Sequence, residues 1–156
     1  MSLTTDPNDP RLKDGQKNTT GQHEIYLVLS DEERAKGFVR PFRDSYVHMG
    51  RKYSDGVRIL DKPEKHNGKT YVAIANVSSD GKVIGGSYIT QSELDQYNNT
   101  GGYVGGCRVL TKMNRVISET YQRSPSFYGA TYCVGCHTHL PVGEFLWDGT
   151  NEKVGS

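Results

Sequence analysis

The sequence predicts an α+β fold: a small domain stapled at its C-terminal end, with a β-hairpin/helix subdomain inserted into it. Three observations predict this. Short β-branched and aromatic runs alternate with capped helical segments along the chain. The stretch Cys133-Val134-Gly135-Cys136 puts two cysteines on one tight turn between strand-like runs. The composition is also thin for a core: only 34% of the 156 residues are hydrophobic, and 18 glycines and 10 tyrosines fill the gap. A typical globular domain reaches about 45–50% apolar residues when glycine is included. A modest core of this kind gains from a covalent or metal staple.

Residues 1–22 are polar, with Pro7, Pro10 and few large apolar side chains, and read as an extended N-terminal arm. Glu24 to Leu29 reads as a strand. Ser30-Asp31-Glu32-Glu33 carries the capping-box pattern of a short helix, which Gly37 and Pro41 end. Tyr46 to Met49 is extended. Within 51–106, Asp61 to Lys69 reads as a polar loop, Thr70 to Val77 as a strand, Ser79-Asp80-Gly81 as a hairpin turn and Lys82 to Ile89 as the returning strand. Thr90 caps a short helix with Glu93 at its third position, and Asn98 to Gly102 stops it. Gly85-Gly86 and Gly105-Gly106 lack the spacing of a phosphate-binding loop. The main helix is expected over 111–123, where Met113, Ile117 and Tyr121 form one stripe, and Ser124-Pro125 ends it. Thr131-Tyr132 and about Glu144 to Trp147 read as the strands flanking the cysteine turn, and Asp148-Gly149 as a closing turn.

A C-x-x-C turn holds two thiolates close enough to share one soft ion, and zinc takes four ligands in a structural site. An odd count of three cysteines fits metal ligation in a reducing compartment better than a disulfide framework. A redox C-x-x-C would open a helix, whereas Pro141 and Phe145-Leu146-Trp147 read as strand. Cys107 is the one cysteine left, and the expected third ligand; the alternative is a small buried core residue. The fourth ligand is expected from a histidine. His48 sits in a strand-like segment before a glycine, and His139 lies three residues past Cys136. His137 follows Cys136 directly, while His23 and His66 fall in polar segments.

Long runs of the chain carry a resemblance. They are Leu29 to Pro41, Ser45 to His48, Ser118 to Arg123, Phe127 to Cys136 and Leu140 to Thr150. Through these runs the chain resembles small uncharacterised zinc-knuckle proteins frequent in actinobacteriophages and prophages, over roughly half its length. In the shorter relatives a histidine and the first cysteine are nearly adjacent, as His-x-Gly-Cys. The resemblance therefore implies an insertion at 51–106 and a site of His48, Cys107, Cys133 and Cys136. His139 also matches a histidine position and remains the rival fourth ligand. On this reading 23–50 and 107–156 form the zinc-binding domain: a strand, a short helix, one main helix and a C-terminal zinc-knuckle hairpin. If His48 and Cys107 share an ion, the ends of 51–106 lie close together, as an inserted subdomain requires. A looser likeness is to the knuckle C-x-x-C-(x)4-P-(x)2-E-F at the front of some phage HNH-type nucleases, matched by Cys133, Cys136, Pro141, Glu144 and Phe145. Little sequence follows Phe145, so no His-Asn-His catalytic unit is expected with it.

These features rank the function classes. Three thiolates and one imidazole fill a tetrahedron and leave no position for a reactive water, so one structural Zn2+ is expected, and no enzyme. The first expectation is an interaction or assembly component of phage type with a protein partner such as a phage structural protein, in the host cytoplasm or the virion. The alternative is a zinc-dependent nucleic-acid-binding module using Arg34, Lys36, Arg40, Arg43, Arg51 and Lys52 with Tyr46 and Tyr53. A net charge of +1 gives that alternative little bulk support. An enzyme built on Asp44, Glu119, His137 and His139 is a third class, which no spacing compels. No apolar run approaches a membrane span and the N-terminus is polar, so neither a membrane partner nor a signal peptide is expected.

Overall fold

A computed structural model of the chain describes residues 2–12, 17, 20–53, 56–79 and 82–156, with side chains left out of the description over 76–86. The fold is a small mixed α+β arrangement with three α-helices and several small sheets among the described residues. In chain order the elements are β1 (Ser2–Thr4), β2 (Ile25–Leu27), α1 (Asp31–Arg34), β3 (Ser45–His48), β4 (Gly50–Lys52), β5 (Val57–His66), β6 (Lys69–Ser79), β7 (Lys82–Ile89), α2 (Gln91–Thr100), β8 (Tyr103–Gly105), β9 (Leu110–Lys112), α3 (Arg115–Arg123), β10 (Ala130–Cys133), β11 (Thr138–Pro141) and β12 (Phe145–Trp147). The chain divides into two compact units, Met1–His48 with Cys107–Ser156, and Met49–Gly106.

In the first unit the polar N-terminal segment does more than trail. β1 pairs in parallel with β2, Ser2 against Ile25 and Thr4 against Leu27. The Ser2 N–H reaches the Glu24 carbonyl and the Val28 N–H the Thr4 carbonyl, each at 2.8 Å. Backbone pairing needs no apolar side chains, which is why the composition of the segment gives no sign of it. Ser30 caps α1, its hydroxyl accepting from the Glu33 N–H at 3.2 Å. The Glu33 carboxylate turns outward to Lys36 at 2.6 Å rather than back to the cap, so half of the expected box forms.

β3 is the middle strand of a three-stranded antiparallel sheet ordered β12-β3-β9. Its pairing with β9 takes Thr111 and Lys112 out of the expected main helix. That helix, α3, starts later, capped by Asn114, whose side chain accepts from the Ile117 N–H at 2.9 Å. α3 buries Tyr121 and also Ser118, Thr120 and Gln122. Ser118 donates to the Arg43 carbonyl and Thr120 to the Val116 carbonyl, so these buried hydroxyls are paired. The core gathers Tyr46, Tyr121, Cys133, Phe145, Trp147 and Val154. Tyr46 and Tyr121 stand edge-on to Trp147, at centroid distances of 6.2 and 5.5 Å. β10 and β11 form the cysteine hairpin, in register from Ala130 against Pro141 to Cys133 against Thr138.

The second unit is built on the antiparallel sheet β5-β6-β7, with Ala73, Ala75 and Ile89 buried at its centre. The polar stretch 61–69, expected as a loop, lies largely in strand β5. The signal for this is Asn67-Gly68, whose φ angles of 51° and 80° are those of a type I′ hairpin turn. Pro63 sits inside the register shift between Ile59 and Glu64, where its missing N–H costs no ladder bond. β6 and β7 close with Ser79 against Lys82, while Asp80 and Gly81 of the expected turn lie outside the described residues. Thr90 and Glu93 complete a reciprocal capping box on α2, and Gly101 ends it with φ 76°. β4 pairs antiparallel with β8, Gly50 against Gly105, which brings the two ends of this unit together. Among the described residues no helix is long and apolar enough to cross a membrane.

Candidate metal centre

Three stretches of the first unit converge on one point. His48 closes β3, opposite Phe145 of β12, whose ring lies 4.9 Å from the imidazole. Cys107 follows, and the Arg108 N–H binds the His48 carbonyl at 2.8 Å. Cys133 ends β10 and is fully buried, while Cys136 sits on the exposed turn to β11. The ligand atoms of His48, Cys107, Cys133 and Cys136 all lie within 4.8 Å of one another. Cys107 Sγ is 3.3 Å from Cys133 Sγ, and Cys136 Sγ is 3.5 Å from His48 Nδ1. A tetrahedral zinc, with bonds of about 2.3 Å to sulfur and 2.0 Å to nitrogen, separates its ligand atoms by roughly 3.5–3.8 Å. The donor set and its spacing therefore fit one ion, after a contraction of about 1 Å at the widest edge. The sulfurs are separate thiols rather than a bonded pair, and the C-x-x-C turn joins two strands instead of opening a helix.

Local backbone geometry holds the sulfurs. Arg108 and His137 each follow a ligand cysteine, and both are left-handed, with φ of 58° and 55°. Outside glycine this conformation costs on the order of 1 kcal/mol. The Val109 N–H bonds the Cys107 sulfur, and the Gly135 and Cys136 N–H groups bond the Cys133 sulfur. Burial pushes the Cys107 thiol up, but the Val109 N–H and the neighbouring Cys133, His48 and Cys136 outweigh it and bring it to about 7. Burial raises Cys133. Burial, reinforced by the other two sulfurs, pushes Cys136 up to about 12. Three thiols so close cannot all ionise against one another, and a divalent cation among them removes the conflict.

The remaining histidines stand elsewhere. His139, the rival fourth ligand, binds the Tyr26 hydroxyl through Nε2 at 2.7 Å and lies 4.2 Å from the His23 ring. Burial, then His23 and Lys17, hold it down to about 4. His137 is exposed on the turn, and His66 belongs to the second unit beside Tyr71 and Tyr88. Glu144 lies next to the cluster, its carboxylate 2.9 Å from His48 Nε2. The sequence shows Glu144 only as one position in the knuckle spacing.

Of the six basic residues considered for phosphate contacts, Arg34, Lys36 and Arg43 have carboxylate partners within the first unit. Arg34 bridges Asp31 and Glu119, and Lys36 reaches Glu33. Arg43 pairs with Glu152 and lies over Trp147 at 4.7 Å. Glu119 is thus taken by Arg34 and Arg115, and Asp44 by Ser45 and Lys112. Among the described residues no hydrogen bond joins either carboxylate to His137 or His139. No protein-family model, no curated protein and no solved structure matches the chain.

Proposed function

We propose that this chain is a phage-type zinc protein that acts through interaction rather than catalysis, as a structural or assembly component. The observation that carries the reading is the convergence of His48, Cys107, Cys133 and Cys136 to within 4.8 Å. Thiolate-rich donor sets favour zinc over hard ions such as magnesium or calcium. Three sulfurs and one nitrogen fill a tetrahedron, which makes the ion a staple joining β3 to the cysteine hairpin. The thin core gains most from such a staple. The phage context and a protein partner, such as a phage structural protein in the host cytoplasm or the virion, rest on the sequence resemblance. Elemental analysis of the purified chain tests the metal reading: one zinc per chain supports it, and a metal-free folded protein contradicts it. Filter binding to DNA and RNA across a salt series tests the rival nucleic-acid module, which would bind with steep salt dependence.

A further inference from the structure

Glu144 is set apart from the other acidic residues by what it touches. His48 is 3% exposed, and its two ring nitrogens face opposite ways. Nδ1 faces the cluster: it accepts from the Cys107 N–H at 3.3 Å and lies 3.5 Å from Cys136 Sγ. Nε2 faces Glu144 Oε1 at 2.9 Å. The Cys107 N–H at Nδ1 and the carboxylate at Nε2 fix one tautomer, with the proton on Nε2 and the Nδ1 lone pair on the cluster side, where a bound ion would take the place of the Cys107 N–H. Phe145 packs on the same ring from the neighbouring position of the chain, so one short segment orients the imidazole through both its charge and its plane.

We propose that Glu144 is the positioning residue of the metal centre, holding His48 so that it ligates through Nδ1. The proposal rests on the zinc reading above and adds to it a ligand atom and a reason for the acidic residue. The carboxylate does not touch the ion. It accepts the Nε2 proton, fixes the ring's rotation and makes the imidazole a stronger donor, as carboxylate–histidine–metal arrangements do. Only the nitrogen arm of the cage depends on Glu144; the Cys107 and Cys133 sulfurs have backbone N–H partners of their own. A soft ion that binds chiefly through thiolates should therefore feel its loss less than zinc does.

The test compares full-length wild type, Glu144→Ala and Glu144→Gln. Chelator competition with zinc and with cadmium gives the affinities, and long-range nitrogen–proton spectra of His48 give the tautomer. Glu144→Ala should weaken zinc about 10- to 100-fold and cadmium by clearly less. Glu144→Gln, whose amide oxygen can still accept from Nε2–H, should recover part of the loss. Wild type should show a metal-bound Nδ1 and a protonated Nε2. Equal losses for zinc and cadmium would point to general unfolding and overturn the proposal. Unchanged zinc affinity in Glu144→Ala, or ligation through Nε2, would overturn it while leaving the zinc reading intact. A wild type that takes up no zinc would overturn both.

Discussion

Gly135, in the middle of the C-x-x-C turn, offers the sharpest perturbation of the metal cage that leaves every ligand in place. A Cβ added there would sit 2.7 Å from Cys107 Sγ and 2.9 Å from both Cβ and Cγ2 of Val109. Ordinary contacts between such atoms are about 3.5–4.0 Å, so the turn or the Cys107 loop must move by roughly 1 Å. Neither wall is the free end of a flexible side chain: one is a ligand sulfur, the other a β-branched side chain at its root. Overpacking of this kind costs about 1–3 kcal/mol. If the metal-bound state carries the whole cost, Gly135→Ala should bind zinc roughly 5- to 150-fold more weakly, since about 1.4 kcal/mol is tenfold. The assay is competition against a chromophoric chelator, with Gly129→Ala as control, because nothing lies within 4 Å of a Cβ built on Gly129. Zinc affinity within twofold of wild type in Gly135→Ala would refute the argument that the turn and Cys107 are packed against each other around one ion.

Acidification should destabilise the fold through His139, apart from any loss of metal. Burial, then His23 and Lys17, lower this imidazole to about 4 from the 6.5 of a free one, and Tyr26 and Tyr132 pack on it as well. Between those values the unfolded chain binds the proton and the folded chain does not, so stability falls as pH drops through that window. Allowing for the partial exposure of the ring, the loss from pH 7 to 5 is on the order of 1 kcal/mol. Urea unfolding of His139→Phe in excess zinc should show a shallower decline than wild type, and an equal decline would contradict this. Replacing 51–106 by a short glycine bridge should leave a folded, zinc-binding protein, because β4 and β8 already bring the ends of that unit together. Loss of the near-ultraviolet circular dichroism signal or of zinc uptake in that variant would rule the separation out.

What the sequence made legible is local chemistry. The caps at Ser30 and Thr90 act within three residues of themselves, and so does the C-x-x-C turn, so short patterns suffice to read them. Strands were harder. β1 is held by backbone groups of a distant segment, and β9 takes the first two residues of the expected helix because they pair with β3. Both depend on partners far along the chain, which no local pattern reports. β5 differs, because Asn67-Gly68 was a readable hairpin signal masked by the surrounding polar residues. At the site, residue types nominated the cysteines, but only the fold separates His48 from His139. One faces the thiols, while the other is spent on Tyr26 and His23. Glu144 escaped because a carboxylate that acts through a histidine has no spacing rule of its own.

The central claim is a closed structural metal site, and zinc-edge X-ray absorption on the purified protein tests it most directly. The account predicts one zinc bound by three sulfurs at about 2.3 Å and one nitrogen at about 2.0 Å, with no oxygen in the coordination shell. A shell with fewer sulfurs, or with an exchangeable oxygen in place of the imidazole, would contradict it.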